Sequence, residues 1–188
     1  MRRAAIGVVV ALLLGGAGSP APHIGPLVAA TPEPLLSTQG GPTLRVGPPG
    51  SKHFVGLLAN GEGSLGVAVA ADGSFLAFTC GMAARAHVWF SSDWYRGRLA
   101  EQPVTVPGPD GEQLTLSRTP EGDLIGELTA TDREPVPAAA APAAAEDGLF
   151  RRDDADGVLG AVALPGNTIC AVKRTNDGQF LPAGTVPY

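Results

Sequence analysis

The stretch that decides the fold is LGVAVAADGSFLAFTC, residues 65–80. Two apolar runs, Leu65–Ala71 and Ser74–Cys80, are separated by Asp72-Gly73. An Asp-Gly pair tolerates the positive φ of a tight turn, and each flanking run has strand length, so the stretch predicts a β-hairpin. Upstream, HFVGLLA (53–59) leads through Asn60-Gly61-Glu62-Gly63 into the same hairpin. Downstream the pattern repeats in Ala86–Ser91, Arg98-Leu99, EQLTLS (112–117), DLIGELT (123–129), Gly148–Arg152, Val158–Leu164 and Asn167–Arg174. Nothing from residue 52 onward sustains a 3.6-residue apolar period with caps. The expectation is an all-β antiparallel hairpin meander of about eight or nine short strands, closing as a small barrel or, alternatively, stacking as a β-sandwich.

Composition divides the rest. Residues 18–51 are rich in proline and glycine and read as a disordered arm. EPVPAAAAPAAA (134–145) carries three prolines in twelve residues, which predicts a loose Pro/Ala-rich loop over 133–146. The chain is thus expected to hold a single β domain at 52–175, interrupted by that loop, and a tail at 176–188. The stretch 159–174, LGAVALPGNTICAVKR, echoes 65–80: Leu-Gly, an aliphatic run, a glycine turn, a second apolar run. Any two buried hairpins share these features, so the echo supports duplication only weakly.

At the start, Arg2 and Arg3 precede an apolar run, Ile6–Leu14, and small residues 15–19. This is the grammar of a signal peptide at 1–17, with cleavage after Ala17 or as late as Ala30. The apolar run is shorter than the ~20 residues a span needs, and no later segment reaches that length. Taking Arg2 and Arg3 away with the leader leaves 11 basic and 18 acidic side chains, a formal charge of −7. An acidic exported chain lacks the clustered cations of a nucleic-acid surface. Cys80 and Cys170 are the only thiols. Export favours a disulfide between them; two buried free thiols are the alternative.

The pattern Phe54-Val55-Gly56, Leu65–Ala71, Phe78-Thr79-Cys80, Trp89-Phe90, Gly122–Leu128 and Gly148-Leu149-Phe150-Arg151 resembles a group of exported actinobacterial proteins of unassigned role. The resemblance covers most of 53–165. An Asp-Gly of that pattern is replaced here by Gly81-Met82. It implies a β-rich fold and export, and carries no activity.

Candidate chemistry is sparse. His87, Ser91 and Asp93 share a face of an extended segment, but His87 and Ser91 would then stand about 13 Å apart at ~3.3 Å per residue, too far for proton transfer. Asp153-Asp154-Ala155-Asp156-Gly157 resembles the start of a calcium loop, yet in register its first ligand would be Arg152 and its twelfth Ala163. A hairpin turn explains the same residues, and no metal or cofactor is expected. Trp89, Phe90, Trp94 and Tyr95, with Arg96 beside them, form the main aromatic cluster and the candidate binding patch; in an extended segment Trp89 and Tyr95 share one face and Phe90 and Trp94 the other, and burial of both pairs is the competing reading. The functional expectation is an exported non-catalytic β-domain acting through a small ligand or a cell-surface partner. A secreted hydrolase using carboxylates and a purely structural cell-envelope protein are the alternatives.

Overall fold

The computed structural model describes residues 44–58, 63–81, 92–109, 111–166 and 168–187. The described residues are all-β, with thirteen strands and no helix. An eight-stranded antiparallel sheet holds β2 (Lys52–Leu58), β3 (Gly63–Val69), β4 (Ser74–Gly81), β5 (Trp94–Arg98), β6 (Val104–Pro107), β7 (Gln113–Arg118), β8 (Leu124–Thr129) and β9 (Val136–Pro142). Its order is β5-β4-β3-β2-β9-β8-β7-β6. The end strands β5 and β6 are consecutive in the chain and lie against each other, so the sheet curls into a nearly closed barrel. A second sheet of five strands has the order β1-β10-β11-β12-β13, from β1 (Leu44–Arg45), β10 (Gly148–Asp154), β11 (Gly157–Leu164), β12 (Thr168–Thr175) and β13 (Phe180–Pro187).

The decisive hairpin forms as its sequence dictates. Leu65, Val67 and Val69 of β3, with Phe75 and Ala77 of β4, point into the barrel. Their neighbours of opposite parity, Ala68, Phe78 and Cys80, point outward and are buried as well. A strand buried on both faces reads as a continuous apolar run, which is why Leu65–Val69 lacks a polar alternation. At the turn, Gly73 takes a φ of +84°, and the Asp72 carboxylate accepts hydrogen bonds from the Ser74 amide and hydroxyl. The side chains of Phe54, Leu58, Tyr95, Val106, Leu114, Leu116, Leu124, Leu128 and Val136 fill the rest of the lumen.

The five-stranded sheet packs on the outer face of β2–β4. Leu149, Val162, Leu164, Cys170 and Val172 meet Val55, Ala68, Phe78 and Cys80 in a second core. Cys80 and Cys170 form a disulfide across this layer, with Cα atoms 6.0 Å apart. The bridge closes a loop of 90 residues, which in the chain-entropy picture stabilises by up to roughly 4–5 kcal/mol. The two echoing hairpins are β3–β4 and β11–β12, so each belongs to one of the sheets that face each other.

Three expectations are corrected. The Pro/Ala-rich segment is not a loop: Val136–Pro142 is strand β9, paired with both β2 and β8. Its two prolines stand near the strand ends, so Ala138–Ala141 supplies the amides in between. Val136, Ala138 and Ala140 point inward while Pro137, Ala139 and Ala141 are exposed, a period of two written in small residues. Ala140 pairs with Gly56 and Ala138 with Gly126, so this wall of the barrel is thin and the large residues opposite fill the lumen. The tail beyond residue 176 contains β13, an edge strand. The arm ends earlier than expected, because Leu44 and Arg45 pair with β10 and Val46 is buried. The predicted leader, the rest of the arm and the predicted strand Ala86–Ser91 lie outside the described residues. No helix among the described residues is long and apolar enough to cross a membrane.

Candidate functional site

The chain passes between its two sheets at residues 46–51 and again at 143–147. Both crossings lie at one end of the barrel, where Arg45 ties them together: its guanidinium donates to the Asp147 carbonyl at 2.8 Å and to the Ala144 carbonyl at 3.3 Å. Buried beside it is His53, the second residue of β2. The His53 Nδ1 accepts a hydrogen bond from the Leu149 amide at 3.2 Å, and the ring also bonds the Val46 backbone. Burial first, and the Arg45 charge second, lower its pKa to about 4, so the ring is neutral at pH 7. His53 therefore braces β2 to the first crossing and to β10. No room is left for more: a Cβ on Gly148, whose φ is +143°, would stand 2.8 Å from Nδ1.

Two clefts flank the first crossing. One has a volume of about 490 Å³ and is lined by Arg45, Lys52, His53, Arg118 and Glu121, with Phe54, Pro142 and Ala143–Ala145 as its apolar wall. Arg118 reaches it because it continues the inward parity of Leu114 and Leu116 to the end of β7, where its guanidinium covers the Phe54 ring at 5.4 Å. Arg118 thus roofs the packed lumen at the barrel mouth. The other cleft, of about 350 Å³, is more apolar: Val46, Pro48, Ala68, Ala70, Phe75 and Leu76 line it, and Arg96 supplies its one charge.

Charge is distributed unevenly. Of the ten Lys and Arg side chains among the described residues, Arg98, Arg151, Arg152, Lys173 and Arg174 form ion pairs. Arg45, Lys52, Arg96, Arg118 and Arg133 form none among the described residues, and three of these five line the larger cleft. Against these three cations the cleft carries one carboxylate, Glu121, so its lining has an excess of positive charge although the protein as a whole is acidic.

The residues singled out by the sequence are dispersed. Tyr95 belongs to the barrel core, while Trp94, on the opposite face of β5, packs on Phe78 with ring centroids 4.7 Å apart and lies under Arg151. Arg96 is exposed at the rim of the smaller cleft; Trp89 and Phe90 lie outside the described residues. Trp94, Tyr95 and Arg96 therefore do not make one exposed patch. Of the nucleophile trio only Asp93 is described. It is buried, and its carboxylate accepts from Arg174 Nη1 at 3.1 Å.

Each aspartate of the calcium-like run has a cation instead. Asp153 pairs with Arg151, Asp154 with Arg152 and Lys173, and Asp156 with Lys173. These bonds hold the Asp154 and Asp156 carboxyls below the usual range, the Arg152 bond dominating for the first and the Lys173 bond for the second. The run closes the β10–β11 hairpin, with Asp154 opposite Gly157. No group of three or more metal-ligating side chains occurs among the described residues.

Arg45, Lys52 and His53 lie close in the chain but in no recognisable motif, and Arg118 is 65 residues beyond His53, so nothing in the sequence joins the four. Arg118 alone left a trace, a cation at an inward position where leucine is otherwise repeated. Comparison of the chain with protein-family models, curated proteins and solved structures finds no match.

Proposed function

We propose that the protein works outside the cytoplasm as a non-catalytic binding domain, taking a small ligand in the larger cleft at the barrel mouth. The carrying observation is the gathering of three cations without ion pairs among the described residues, against one carboxylate, and an apolar wall in one concave site. Ligand sites are concave, largely apolar, and oriented by a few polar groups, and the mouths of barrels are among their preferred places. The lumen is filled by leucine, valine and aromatic side chains, which favours the mouth over the interior. Of the titratable groups that line this cleft, His53 accepts from the Leu149 amide through Nδ1 and is neutral at pH 7, and Glu121 is the one carboxylate. Export accounts for the basic-apolar start of the chain and agrees with the disulfide.

The test is native mass spectrometry of the protein purified from the culture medium of its own producer. A chain lacking its first residues, two hydrogens lighter than its reduced form and carrying a small molecule, is the expected result. Recovery from the cytosol with Met1 attached, or turnover of the bound molecule, would overturn the reading.

A further inference from the structure

The charge pattern of the larger cleft reaches further than binding as such. From it we infer that the site selects a small organic anion, one whose carboxylate or phosphate group sits between Arg118 and Lys52 while its carbon body lies on Phe54, Pro142 and Ala143–Ala145. The inference rests on the binding reading above and names its ligand class. Three cations line the cleft against one carboxylate, Glu121, and none of the three is ion-paired among the described residues. Elsewhere on this acidic surface five cations are already neutralised by aspartates, so the cleft is where an added negative charge finds donors that no internal carboxylate has occupied.

The parts divide the labour. Arg45 is pinned by the carbonyls of Ala144 and Asp147, so it contributes a fixed positive charge to the back of the site. Arg118 holds its guanidinium over the Phe54 ring, Cζ 5.4 Å from the centroid, and forms no ion pair among the described residues, so its N–H fork is available for a bidentate contact with an oxyanion. Lys52 is exposed at the opening, a mobile ammonium suited to closing over a bound group. His53, neutral at pH 7, adds no charge. A volume of about 490 Å³ lies within the range of small-molecule sites.

The experiment is an amide chemical-shift titration of the disulfide-bonded protein with citrate and, separately, with inorganic phosphate, both at constant ionic strength. Saturable shifts centred on residues 45–53, 118–122 and 143–149 are expected. Stronger binding of citrate assigns the carboxylate form, and stronger binding of phosphate the phosphate form. Arg118→Ala weakens the better probe at least about tenfold, Arg118→Lys weakens it less, and Lys52→Ala weakens it severalfold while leaving the rest of the spectrum in place. Glu121→Gln strengthens it. Non-saturating shifts spread over the surface, or affinity unchanged in both Arg118→Ala and Lys52→Ala, would overturn the anion assignment. If protein from its own medium then carried a neutral molecule in this cleft, the binding reading would stand without the anion.

Discussion

The ring of Phe78 stands where a side chain on Gly160 would be: a Cβ built on that glycine lies 2.5 Å from Phe78 Cζ. Phe78 belongs to the barrel and Gly160 to the five-stranded sheet, so one missing side chain sets how closely the two layers approach. The relation has a counterpart in Gly66, directly opposite Phe78 in β3, whose Cβ would meet Val162 and Leu149 of the other sheet. Gly66 and Gly160 are the glycines of the two Leu-Gly steps in the echoing hairpins. The echo therefore marks the surfaces by which the sheets meet.

Gly160→Ala is expected to destabilise by about 1–3 kcal/mol, the usual range for overpacking a filled core. Urea unfolding measures it. In a double-mutant cycle, Phe78→Leu should recover part of the loss, because the smaller side chain vacates the space. Strict additivity of the two changes would show that they do not share that space.

Removing the bridge with Cys80→Ala and Cys170→Ala together should cost about 2–5 kcal/mol. Since the bridge joins the barrel to the second sheet, the loss should be accompanied by faster amide exchange in β10–β12 than in β6–β8. Equal exchange in both sheets would contradict this placement of the bridge.

Strand β9 makes a sharp prediction from the parity of its alanines. Ala138→Asp puts a charge into the packed lumen and should abolish cooperative folding or cost more than about 3 kcal/mol. Ala139→Thr, one position along and exposed, should change stability by less than about 0.5 kcal/mol. Comparable effects at the two positions would mean that this segment is not a strand with one face inside.

How much of this was legible follows from where the signal lies. The hairpins at 65–80 and 159–174 could be read because aliphatic runs and glycine turns are local features. Strand β9 could not, since alanine and proline have low β-propensity and what makes Val136–Pro142 a strand is pairing with β2 and β8 on both sides. Strand β13 likewise depends on β12 for its partner. Trp94 and Tyr95 were expected to face opposite ways, and they do. Which faces were buried was set by the second sheet, and nothing near position 94 in the sequence announces it. The cleft was least legible of all: Arg45 and Lys52 flank the first crossing, and Arg118 joins them only because β7 ends at the same end of the barrel.

Protonation of His53 gives a pH dependence of definite sign. Its pKa is about 4 in the folded protein against 6.5 when free, so between these values the unfolded chain binds the extra proton. Stability is complete above pH 6.5 and falls as the pH drops toward 4, by at most about 3 kcal/mol. His53→Asn keeps an acceptor for the Leu149 amide and does not titrate. Its stability should be lower at pH 7 but flatter from pH 6.5 to 4.5. An equal slope in the two proteins would show that His53 is already exchanging protons freely when folded.

The most direct measurement is a crystal structure of the protein taken from its own culture medium, without any step that strips ligands. The account predicts a bound small molecule beneath Arg118, against Phe54 and the alanines of the second crossing, with the lumen still filled by leucines and valines. A ligand seated inside an opened barrel, or one bound at another surface while this cleft holds only solvent, would contradict it.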